Sequence, residues 1–303
     1  MIMEKNPFSL LDFLGYVFPG ALALFLIHFF GNLSEIQGLQ FLYDEISKSV
    51  NTDTSLLEKT IYLTVASYIL GHFIAYLSSL TVEQFSIWLY GYPSDFLLKD
   101  VPSWHYWTLP KRGDKLSKRW RYLCRIIIGL FLLPLSICSL VFAKLLGGKY
   151  FFIKKLDKDL IHAITDRCAD LAQHLNFKIS EEEDEKTDFH RVIYHYEYER
   201  QKLHASTMGN YIALYDLLRS VTFIFNCLFL YILFFAAIPT IDFSCHCINW
   251  KLIRLLFATM SISYVFFMAF IKFYRRFTLE SFMCLLVDTS FPKSDRSKQN
   301  NNE

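Results

Sequence analysis

The segment SVTFIFNCLFLYILFFAAIPTI, residues 220–241, runs without a single charged side chain. As a helix it would measure about 33 Å, enough to cross a hydrocarbon core of about 30 Å. Four further segments approach the same length and character: 13–31, 60–80, 126–147 and 252–271. Residues Asp242 to Lys251 join the last two as a tight hairpin. The whole chain of 303 residues is 53% apolar and 17% aromatic, with a mean hydropathy of +0.26. A soluble chain of this size needs a more polar surface than that composition supplies. The expected fold class is therefore an all-α integral membrane protein with four to five transmembrane helices, whose first partner is the lipid bilayer.

The N-terminal segment does not read as a signal peptide. Its leading residues MIMEKNPFSLLD set Lys5 against Glu4 and Asp12. Its apolar run exceeds the usual h-region, and HFFGNLSEIQ after it holds no small-residue cleavage site. A retained first helix is expected instead.

Charge then suggests topology. Residues 32–60 carry Lys48 and Lys59 against Glu35, Asp44, Glu45, Asp53 and Glu58. The next connector, 81–125, holds the basic run KRGDKLSKRWRYLCR. By the positive-inside rule the first loop belongs outside and the second in the cytoplasm. Arg219 before 220–241, and Lys272, Arg275 and Arg276 after 252–271, put both outer ends of the last hairpin inside. Both termini are thus expected in the cytoplasm of a bacterial inner membrane. The third segment, 126–147, breaks this order, because RWRYLCR precedes it and KYFFIKKLDK follows it. Pro134 sits in its middle, where it removes a backbone hydrogen bond and bends a helix. The expectation is a re-entrant or interfacial third segment between four spans, with a five-span arrangement as the alternative.

These boundaries give four regions: 1–147, a membrane region containing the basic connector 81–125; 148–218, a small helical cytoplasmic lobe; 219–276, a transmembrane hairpin; and 277–303, an amphipathic segment and disordered tail. The lobe reads as helical because Leu160, Ile161, Ile164, Cys168, Leu171 and Leu175 recur at three- and four-residue spacing. KISEEEDEKTD, 178–188, reads as a solvated linker. The lobe is the natural docking place for a cytoplasmic protein partner.

Motifs for chemistry are sparse. The seven cysteines form no CxxC pair, and Cys245-His246-Cys247 supplies three ligands where a metal site needs about four. No Gly-rich phosphate loop, GxSxG or HExxH is present, so no cofactor or metal is expected. A net charge of +2 from 31 bases and 29 acids gives no reason to expect a nucleic-acid partner. Arg167 and His174 form an R-x6-H pair, loosely like the motif of HEPN-type ribonucleases, and are the candidate catalytic residues of an alternative enzymatic reading. The apolar segments hold few ionisable or polar groups, His28, His72, Asn226 and Lys144; a third reading, a small channel or transporter, uses His72, since ionisable groups within a membrane are by default functional candidates.

Several short motifs occur together in order: DFLGYVFPG at 12–20, YILGHFIAYLSSLTVEQF at 68–85, GYPSDFLL at 91–98, VIYHYEYER at 192–200 and NYIALYDLLRSV at 210–221. In this order the chain resembles a group of uncharacterised bacterial multi-spanning membrane proteins with an N-terminal D-x-LGY-x-x-PG motif and no assigned activity. The resemblance covers most of the chain and implies a membrane role linked to mobile or defence gene neighbourhoods. Physically, Asp12 can cap the first helix. Glu83 can pair with arginines of the basic connector, making a polar clasp at the cytoplasmic face. Gly15, Tyr16, Pro19 and Gly20 open the first helix, and Gly71 beside His72 can admit a neighbouring helix closely. Asn210, Asp216 and Arg219 mark the helix that would couple lobe to membrane. The expected function is a non-enzymatic membrane sensor or effector that oligomerises and perturbs the bilayer in bacterial stress or phage defence.

Overall fold

A computed structural model of the chain describes residues 12–33, 55–99, 106–107, 115–145, 154–176, 189–200, 202–237 and 250–288. Every regular element among the described residues is helical. The Cys245-His246-Cys247 turn, the acidic run 178–188 and the 293–303 tail lie outside them. Four of the described helical stretches are long and apolar enough to cross a membrane: Phe13–Phe30, Leu56–Leu98, Ser206–Phe234 and Trp250–Val287.

Helix α1, Phe18–Leu33, is opened by a π-helical turn, Phe13–Val17. That turn ends two residues before Pro19, which has no N–H to offer the carbonyl of Gly15. The wider ring of a π-turn closes instead through the Phe18 N–H onto the carbonyl of Phe13. Helix α2, Leu56–Ser78, starts at a capping box. There Ser55 Oγ accepts from the Glu58 amide and the Glu58 carboxylate accepts from the Ser55 amide. Along α2 the small residues Ser67, Gly71, Ala75 and Ser78 are all buried on one stripe, and α1 packs along it, as small residues permit.

A second π-helical turn, Ser79–Glu83, carries α2 into α3, Gln84–Tyr90. Gly91 then adopts a φ of 82°, in the left-handed region that favours glycine. Pro93 starts the short helix α4, Pro93–Leu98, in the position where its missing N–H costs nothing. Helices α5, Lys115–Phe131, and α6, Leu133–Ser139, make up the third segment. They meet at Leu132 with a bend of 92°. Pro134 lies in the first turn of α6, where proline is tolerated, so the kink expected from the sequence is a right-angled corner.

Helices α7, Lys158–His174, and α8, Phe189–Arg200, come from the region read as a lobe. Helix α9, Lys202–Tyr231, and helix α10, Trp250–Val287, form the most extensive helix pair among the described residues. Two boundaries drawn from the sequence fall inside these helices. The junction at 218/219 lies within α9, which passes through without a break. The junction at 276/277 lies within α10. At the rise of an α-helix, α10 is about 57 Å long, nearly twice a bilayer core. The apolar run in the sequence ends at the charges of Lys272–Arg276, but the helix does not. It continues because Phe277, Phe282, Cys284 and Leu285 keep a buried face that α7 and α8 cover. The central core joins Phe85, Leu97, Leu132 and Leu135 to Phe267 and Phe270, and extends to Ile164 and Leu171 of α7.

Candidate functional site

Two close helix contacts fix the first half of the site. A Cβ placed on Gly20 would overlap the carbonyl of Ser67 and lie 2.9 Å from the amide nitrogen of Gly71. A Cβ on Gly71 would in turn overlap the carbonyl of Tyr16. The two glycines therefore let the backbones of α1 and α2 touch, which no larger residue allows. The Tyr16 ring stacks on His72 with centroids 3.8 Å apart, and Tyr68 meets both rings edge-on. His72 remains exposed on the outer side of this contact.

Below it lies a polar node centred on Arg219 of α9. Its guanidinium pairs with Glu83 at the end of the second π-helical turn, and with Asp216 at 2.8 Å. Its Nε donates to Ser78 Oγ at 3.3 Å, while Ser79 Oγ donates to Glu83 at 3.0 Å. Both π-helical turns pack on α9, and the node ties the second long helix to the third. Arg219 is 8% exposed. Removing one partner from an ion pair so placed leaves an uncompensated charge, which makes the node all-or-none. A cleft of about 10 Å³ lies beside α3 and α4, lined by Ser86, Tyr90 and Tyr274 among others; it has room for one water.

Seven residues further along the same face of α9, Asn226 is fully buried. Its Nδ2 donates to the carbonyl of Phe131 at 3.0 Å. That carbonyl sits at the corner between α5 and α6. On the other side of the corner Ser136 Oγ donates to the carbonyl of Gly129 at 2.9 Å. Side chains thus satisfy backbone groups that the broken helix cannot pair for itself. One turn before Asn226, the carbonyl of Thr222 accepts from Ser263 Oγ of α10 at 3.3 Å.

The opposite end of α9 enters the α7–α8 region. Met208 is fully buried with Phe277 and Cys284 of α10. His190 of α8 faces Phe277 and Phe282 edge-on, and burial pushes its imidazole down to about 4. Burial likewise pushes the Cys168 thiol of α7 up to about 12, which keeps it an unreactive thiol.

The residues singled out from the sequence fall into three groups. Glu83, Asp216 and Arg219 converge in the node; Tyr16, Gly20, Gly71 and His72 converge at the α1–α2 contact, with Gly15 and Pro19 buried nearby. Asp12 is not a cap. Its backbone is already right-handed helical and its side chain makes no cap hydrogen bond, whereas a cap needs extended geometry. Glu83 takes its arginine from α9, while the connector's Arg125 is buried against Tyr106 and Trp88. Asn210 is exposed on α9.

Arg167 and His174 are not brought together. Arg167 is buried, 3.7 Å from Asp170, and donates to the carbonyl of Asp288 at the end of α10. His174 is exposed at the last turn of α7. Arg167 therefore holds the negative end of the α10 dipole. Of the remaining intramembrane candidates, His28 is exposed on α1, and the Lys144 side chain lies outside the described residues. Among the described residues no three His, Cys, Asp or Glu side chains gather into a metal-holding group.

The role of Asn226 is not legible in the sequence beyond its being polar in an apolar run. The one signal is Pro134, which marks a break in the hydrogen bonding of this segment without saying which carbonyl needs a donor. No protein-family model, curated protein or solved structure matches this chain.

Proposed function

We propose that this chain is an integral membrane protein in which α9 couples a helical cytoplasmic lobe to a broken third segment, re-entrant or interfacial. The outward faces of the long helices support membrane insertion. Phe25 of α1, Ile69 and Phe73 of α2, and Phe257 and Val265 of α10 are all exposed, where water would demand polar residues. The right-angled corner at Leu132 suits a segment that turns at the bilayer instead of crossing it straight. In this reading the basic connector and both termini are cytoplasmic.

The observation that carries the coupling is one unbroken helix with three attachments in series. Met208 enters the lobe core, Arg219 grips Glu83, and Asn226 holds the carbonyl of Phe131. From Met208 to Asn226 is about 27 Å of rigid rod. A shift of the lobe is thereby delivered to the corner of the third segment, whose backbone hydrogen bonds are the easiest to rearrange. The protein acts as a sensor or effector that perturbs the membrane, in assembled copies, when the lobe receives its stress or infection signal.

Membrane potential recorded in bacteria expressing the chain, before and during phage challenge, tests this. The expected result is depolarisation on challenge that disappears with Asn226→Leu. A potential that stays constant in cells holding inserted wild-type protein through a range of stresses would contradict it.

A further inference from the structure

Helix α5 presents two faces that do not match a helix crossing a membrane or one resting in water. Toward the protein it buries Arg125, which donates to the Tyr106 carbonyl and lies over the Trp88 ring at 5.2 Å. Away from the protein it presents Trp120, Leu123, Ile127 and Leu130, at spacings of three and four residues. These are 66%, 45%, 55% and 62% exposed. The first two turns carry Lys118, Arg119 and Arg121. From Asp114 to Asp157 the intervening sequence has nine bases and no acid. Around the same helix gather Trp88, Tyr106, Trp107 and Tyr122, Trp107 lying 6.5 Å from Tyr122 and 5.0 Å from Tyr106. Such rings concentrate at the level of lipid headgroups.

Resting on the membrane reading above, we infer that α5 is an in-plane surface helix that selects anionic lipid. The 92° corner turns it away from α6, which packs on α9 and α10. Its apolar face then meets acyl chains, and Lys118, Arg119 and Arg121 stand among headgroups. A neutral surface would serve the apolar face equally well. The acid-free run of bases is what distinguishes an anionic one. The corner that Asn226 holds is then the point where a lipid-bound helix meets the bundle, so lipid charge bears directly on the coupling element.

Photo-crosslinking in the full chain tests the inference, with p-benzoylphenylalanine at position 123 or 127 and, as a reference, at position 69 on α2. The protein is reconstituted in vesicles of phosphatidylcholine with a minor share of phosphatidylglycerol. At 123 and 127 the expected products are lipid adducts with phosphatidylglycerol enriched above its share of the bilayer. Lys118→Gln, Arg119→Gln and Arg121→Gln together should return that enrichment to the bilayer ratio while lipid adducts persist. Arg119→Gln alone, at an exposed position, should lower it partway and guards against a misfolded triple variant. Adducts to protein at 123 and 127, or unenriched phosphatidylglycerol, would overturn the inference. With lipid adducts retained at 69, such a result leaves the membrane reading standing; loss of lipid adducts at 69 as well overturns both.

Discussion

The side-chain amide of Asn226 donates to the carbonyl of Phe131, far away along the chain, at the corner of a helix bent by 92°. A buried asparagine in an apolar helix has little reason to exist unless it satisfies a group that has no other donor. Asn226→Leu should therefore destabilise the protein by about 1–3 kcal/mol, the cost of orphaning a buried carbonyl. Ser136→Ala, which frees the Gly129 carbonyl of the same corner, should cost about 1 kcal/mol. Thermal unfolding in detergent compares them, and their double variant should show non-additivity, because both serve one corner.

Gly20 and Gly71 should tolerate nothing larger. Each Cβ would overlap a backbone carbonyl of the facing helix, so Gly20→Ala and Gly71→Ala must push α1 and α2 apart. Overpacking of this kind costs about 1–3 kcal/mol or more. Gly209→Ala is the control: nothing lies within 4 Å of its Cβ position, in mid-helix. That change should stabilise by about 0.5–1 kcal/mol through helix propensity. Equal losses at all three positions would contradict the close contact.

The node should behave as a charge-matched set. Arg219→Gln leaves Glu83 and Asp216 facing each other with their cation gone. It should cost about 3–5 kcal/mol. Adding Asp216→Asn to that variant should recover part of the loss. A thermal-denaturation cycle over the two positions reads the coupling directly.

His190 gives the α7–α8 region a pH dependence. Its folded pKa, about 4, lies below the ordinary value of 6.5. As pH falls below that ordinary value, the unfolded chain takes up a proton that the folded one resists. The stabilisation is complete above about pH 6.5 and is lost as pH falls toward about 4, amounting to up to about 3 kcal/mol. Melting temperatures measured across that window should fall for wild type and stay flatter for His190→Phe, whose ring keeps the contacts with Phe277 and Phe282.

Arg167 and His174 should part company. Arg167→Ala removes the guanidinium that holds the end of α10 and should loosen the contact between α7 and α10 measurably. His174→Ala, at an exposed helix end, should stay within about 0.5 kcal/mol of wild type. A ribonuclease activity lost equally in both variants, with both folded, would restore the catalytic reading of this pair.

Helical class, the number of long apolar segments and the bend at Pro134 were legible because each is written locally, in run length and a single proline. Gly71 beside His72 announced a close helix approach, but only the fold showed that Gly20 and Tyr16 are what approach it. Asp216 and Arg219 were visible as marks of the coupling helix, but not as an ion pair. Their link to Glu83 joins distant parts of the chain and depends on a π-helical turn that no periodicity marks. Asp12 misled because its residue type suits a cap while its backbone is already helical. The reach of α10 to Val287 was hidden by the charges at 272–276. They end an apolar run without ending a helix, and Arg275 instead donates to the Lys154 carbonyl at 2.9 Å.

Hydrogen–deuterium exchange of the chain in lipid nanodiscs tests the coupling through α9 most directly. Phe277→Ala loosens the lobe core around Met208, far from the corner of the third segment. The expected result is faster exchange both in residues 189–200 and in residues 129–140, with Asn226→Leu accelerating the second region alone. Faster exchange in 189–200 while 129–140 keeps its wild-type protection would show that α9 carries nothing from the lobe to the corner.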